Sequence, residues 1–228
     1  MVFVVILLLS VLALSVLPQM WVTRVIARHS KPRADLGQSG ADIARHLLEF
    51  AQVPGVVVER TDIGDHYDPE ARVVRLSPQH YEGHSLAAAV IAAHEVGHAI
   101  QDHQNYRPLK QRTRIAKQAE QTQRIGFFVM MAAPIMLLLF KSPAILALEF
   151  GAGILLIGIT VIMHAYTLPV EFDASFKKAL PLLHATDLIP TDDFPAAREI
   201  LWAAALTYVA AAAMSMLDVM RWLRVLRF

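Results

Sequence analysis

The sequence predicts a mainly α-helical integral membrane protein with a small α+β element on the cytoplasmic side that carries a metal-binding pattern. Three observations predict it. The 228-residue chain is 55% hydrophobic with a mean hydropathy of +0.43, more apolar than an ordinary soluble domain of its size. Apolar runs occupy residues 2–22, 125–140, 144–168 and 200–220, lengths near or at what a hydrocarbon core requires. Between the first two runs lies a polar stretch, 24–124, that holds strand-like segments and the run His94-Glu95-Val96-Gly97-His98.

Residues 1–23 read as an uncleaved transmembrane anchor: no basic segment precedes the apolar run, and Arg24, Arg28, Lys31 and Arg33 follow it, the reverse of a secretory signal. Residues 24–124 form the polar domain. Its 14 Lys plus Arg against 12 Asp plus Glu exclude the basic footprint of a nucleic-acid binder. Residues 40–52 place Ile43, Leu47, Phe50 and Ala51 at helical spacing and predict an amphipathic helix. Gly55–Arg60 and Arg72–Ser77 read as strands, and the second, just before the histidine pair, is a candidate edge for pairing with an extended peptide. Asp65-His66-Tyr67-Asp68 reads as polar turn residues, with Tyr67 and His66 as candidate donors to a developing oxyanion.

A helix is predicted to start at an N-cap Ser85 and to run through Ala87–Ala93 into the histidine pair. On that helix His94 and His98 lie four residues apart on one face, with the Glu95 carboxylate beside the first. Imidazole nitrogen suits Zn²⁺, and a neighbouring carboxylate can reach water at an open coordination position. The bland alternative is a pair of core histidines, each of which would need its own partner in apolar surroundings. A third ligand must come from elsewhere. An H-x-x-G-x-x-H continuation is absent, because Gln101 and Gln104 stand where Gly and His would be. The best candidate is Glu171, in a first helical turn opened by Pro169.

Residues 107–124 carry six Lys plus Arg and read as a basic juxtamembrane helix. Residues 125–168 read as a transmembrane helical hairpin turning at Lys141-Ser142-Pro143, which would return Glu171 to the side of His94 and His98. Residues 169–228 hold the third-ligand helix and a C-terminal apolar helix. Lys and Arg placement puts the site on the cytoplasmic face of what is read as a multi-pass protein of the plasma membrane. The chain has no Cys, hence neither disulfide nor thiolate ligand.

The pieces Gly64–Pro69, Arg75–Pro78, Ala92–Gln101 and Leu168–Ser175, in this order, resemble the YugP-type membrane zinc metallopeptidases, relatives of the gluzincins. The resemblance spans nearly the whole chain. It implies one Zn²⁺ held by His94, His98 and Glu171, with Glu95 as the catalytic carboxylate of a zinc metalloendopeptidase. Position 175 departs from the wider gluzincin pattern, which has Asp there. The Ser175 hydroxyl can still bond a ligand imidazole, whereas Asp173, two residues from Glu171, points roughly away on an α-helix. Expected partners are a peptide or protein substrate and membrane lipids, with no nucleic acid; a homo-oligomer stays open. Two other readings are a membrane zinc scaffold with vestigial turnover and an ion transporter. Glu95 argues against the first, since a structural site needs no base, and the location of the motif in a polar domain argues against the second.

Overall fold

In the computed structural model, residues 2–140, 142, 144, 148, 151, 152, 159, 163 and 166–206 are described. Helix α1 spans Val2–His29, α2 Gly40–Phe50, α3 Pro78–Tyr81, α4 Leu86–His103 and α5 Arg107–Phe140; strands β1, β2 and β3 span Val57–Arg60, His66–Asp68 and Val73–Leu76. Residues 166–172 are helical, a π-helix follows at Asp173–Ala179, then a helix Leu180–Thr186, and residues 194–206 are helical again. Among the described residues no helix is long and apolar enough to cross a membrane. The expectation of an integral membrane helical protein is corrected accordingly, to a mainly helical fold with a small sheet.

Apolar residues also serve the interior: Leu86–Ala93 are apolar throughout and all eight are buried within the protein, as a helix apolar on every face requires. Helix α5 is long, but residues 107–124 carry six Lys and Arg, which leaves 125–140 short of the about 20 residues that a span needs. Most of the expected return limb at 144–168, and positions 207–220 of the last apolar run, lie outside the described residues.

The chain divides into two compact units, and the histidine pair lies in the one formed by Pro18–Lys110 and Leu168–Thr207. Helix α4 is its axis, contacted by α2, α3, the sheet, the π-helix and the helix after it. Ser85 starts α4 by accepting a hydrogen bond from the Ala88 backbone N–H, which satisfies one orphan donor of the first turn. Ser39 and Asp42 close a capping box on α2. The α2 face of Ile43, Ala44, Leu47 and Leu48 is buried. Phe50, expected on that face, is 53% exposed, because the helix ends there and the chain turns away.

The sheet has the order β1-β3-β2, with β1 parallel and β2 antiparallel to β3. The segment expected as a free edge is therefore the central strand, and both of its hydrogen-bonding sides are taken. β2 is the strand that polar composition disguised as a turn. Its Tyr67 is buried while His66 and Asp68 are half-buried, the alternation that pairing on β3 imposes.

Candidate metal centre

His94, Glu95 and His98 are all buried on α4, and Glu171 is 1% exposed on the facing segment. Their approach depends on Gly97. A Cβ built there would lie 2.6 Å from the carbonyl oxygen of Ala174, so only glycine lets the α4 backbone come this close to the π-helix. The π-helix, a wider turn that recurs at functional sites, follows directly on Glu171 and Phe172. Helical residues 166–172 run through Pro169, so Pro169 does not open the helix as expected. Burial of Val170 and Glu171 outweighs the hydrogen bond that proline forfeits.

The structure brings His94, His98 and Glu171 together, with one ligand atom from each lying within 4.8 Å of the others. His94 Nε2 is 3.2 Å and His98 Nε2 3.4 Å from Glu171 Oε2. Ligand atoms about 2.05 Å from a tetrahedral zinc stand about 3.3 Å apart, close to these two histidine–glutamate spacings. The donor set suits it too, with two imidazoles and one carboxylate, the choice found in catalytic zinc sites. Burial alone would push the Glu171 carboxyl up; the charge of His98 and the hydrogen bonds from both imidazoles prevail and hold it well below the usual carboxylate range.

Each ring is also held on its far side. Ser175 Oγ lies 3.0 Å from His94 Nδ1, and Gln101 Oε1 lies 3.0 Å from His98 Nδ1. Asp173, expected to point away, is buried and accepts from Gln101 Nε2 at 2.9 Å. Asp173 opens the π-helix, so the α-helical angle assumed for it does not apply to the turn it begins. Gln101 is the buried polar residue beside the pair that sequence reading passed over. The available signal was its i+3 spacing from His98, which puts it on the same side of α4.

The two loop candidates are engaged elsewhere. The Tyr67 hydroxyl donates to Asp102 at 2.9 Å, and burial and that carboxylate push the phenol well above its usual range. His66 Nδ1 lies 2.8 Å from the Gly64 carbonyl. Neither partner belongs to the cluster of His94, His98 and Glu171. Asp65 accepts from the backbone and hydroxyl of Ser77 and meets His80 at 2.7 Å, which pins the loop to the start of α3.

Comparison with known proteins agrees with this geometry. Residues 4–227 match the model of the family described as "Putative neutral zinc metallopeptidase". The chain is similar to the "Putative membrane protease YugP" of Bacillus subtilis (strain 168), with 36% identity over 219 residues that cover 95% of this chain and 93% of the relative. No solved structure matches.

Proposed function

The chain belongs to the family of neutral zinc metallopeptidases, and from that premise we propose that it is an endopeptidase whose single zinc is held by His94, His98 and Glu171. The observation that carries the reading is the convergence of these three buried side chains beside Glu95. Zinc, when bound, supplies Lewis acidity that polarises a carbonyl and acidifies water. Glu95 accepts the proton of the attacking water and returns it to the departing amine, so a single carboxylate serves as base and then as acid. His94 and His98 would hold the ion through their imidazole nitrogens, and the Glu171 carboxylate would contribute the negative charge. Burial of all four groups keeps bulk solvent from competing for the site and strengthens each charge interaction.

The substrate is a peptide or protein. The name of the Bacillus relative places that protein at a membrane, and we carry the location to this chain as part of the proposal. Sedimentation of the native protein with vesicles checks it. The enzymatic reading is tested by incubating purified protein with pooled membrane-derived and cytosolic peptides and sequencing the fragments. Fragments that depend on zinc and vanish with Glu95→Gln support it. A fragment pattern that is the same for both proteins sinks it.

A further inference from the structure

We propose that Gln101 is a positioning residue that keeps His98 protonated at Nδ1 and fastens it to the segment bearing Glu171, an inference that rests on the reading of these residues as zinc ligands. Gln101 is 0% exposed, so its amide must find its hydrogen-bond partners within the protein. Its Nε2 lies 2.9 Å from the Val170 carbonyl and 2.9 Å from Asp173 Oδ2. A primary amide has two N–H donors, and these two acceptors take both. The opposite orientation of the amide would set its oxygen against two oxygens.

The orientation decides the state of the histidine. Gln101 Oε1 faces His98 Nδ1 at 3.0 Å, and an amide oxygen only accepts. Nδ1 therefore carries a hydrogen, and the ring meets a ligand through Nε2 alone, the atom 3.4 Å from Glu171 Oε2. The same amide holds the carbonyl of the residue before Glu171 and the carboxylate of the residue two beyond it, so one side chain ties the ring of one ligand to the segment that bears another. His94 differs. Its Nδ1 neighbour is the Ser175 hydroxyl, which can donate or accept and so imposes no tautomer.

The test uses the full chain with ¹⁵N-labelled histidine, free of metal, and compares parent, Gln101→Met and Asp173→Ala. Methionine keeps the length of the side chain and removes the acceptor. The parent should show His98 protonated at Nδ1, Gln101→Met a lower Nδ1-protonated fraction, and Asp173→Ala a smaller change in the same direction although Asp173 does not touch the ring. Zinc affinity, measured by competition with a chelator, should fall 10–100-fold for Gln101→Met. Adding Asp173→Ala to that variant should cost less than it costs the parent. Protonation of His98 Nδ1 unchanged in both variants overturns the proposal. A parent that shows this protonation but binds no zinc overturns the metallopeptidase reading instead.

Discussion

Gly97 and Ala174 meet backbone to backbone, close enough that a Cβ on residue 97 would stand 2.6 Å from the Ala174 carbonyl oxygen. Replacing glycine by alanine inside a helix normally stabilises by about 1 kcal/mol. Here the contact lies between two main chains, neither of which can rotate out of the way, and overpacking of this kind costs about 1–3 kcal/mol. Gly97→Ala should thus lower the melting temperature by several degrees and weaken zinc binding, because the Glu171 segment is what must move. An unchanged or raised melting temperature with full zinc affinity would show that the two segments are not in register at this point.

Removing any one arm of the cluster should cost more zinc affinity than the roughly 100-fold that loss of a ligand's hydrogen-bonding neighbour causes. Glu171→Ala is the decisive case, since Glu171 comes from a separate segment of the chain. Metal analysis after dialysis should find His94→Ala, His98→Ala and Glu171→Ala all depleted. Retention of stoichiometric zinc by Glu171→Ala would remove it from the ligand set.

The histidine pair and its helix are legible in the sequence because local spacing dictates them: His94 and His98 share a face wherever that stretch is helical, and Ser85 sits where a cap is needed. Glu171 is reachable only by elimination or resemblance, since 72 residues of chain separate it from His98. Gln101 is legible only as a residue i+3 from His98, because besides His98 it bonds a backbone carbonyl and Asp173 from a distant segment. Asp173 is illegible, since a π-helical turn shifts the side that it occupies, which no α-helical periodicity anticipates. Leu86–Ala93 are apolar throughout and yet buried within the protein, so apolar composition alone does not separate a core helix from a helix in lipid.

Glu95 separates binding from turnover. Glu95→Gln changes one oxygen for an amide nitrogen of nearly the same size, so zinc content and melting temperature should match the parent. Peptide hydrolysis should fall by about 10²–10⁴-fold, the usual contribution of a positioned general base. Measured zinc occupancy alongside initial rates distinguishes this from simple loss of the metal. A rate within a few-fold of the parent at equal occupancy would assign the proton transfer to another group.

Asp65 links the loop before β2 to the first turn of α3, and its removal has a pH signature. Burial raises its carboxyl, but His80 and the Ser77 backbone and hydroxyl outweigh burial and set it below the ordinary aspartate value. A carboxyl depressed in the folded state stabilises in full above its unfolded value, near pH 4, and loses that contribution as pH falls through the folded value. Asp65→Asn removes this dependence together with the charge-assisted bonds, which contribute on the order of 2 kcal/mol. At neutral pH the variant should therefore be less stable than the parent, and the gap should narrow as pH falls below about 4. Denaturant unfolding of the metal-free protein from pH 7 to pH 2 measures it, with the difference between the two proteins cancelling carboxyls common to both, such as Asp42 and Asp68. Parallel curves across the whole range would mean that Asp65 titrates in the folded protein as it does in the unfolded chain, and that its bonds to Ser77 and His80 hold the loop without depending on charge.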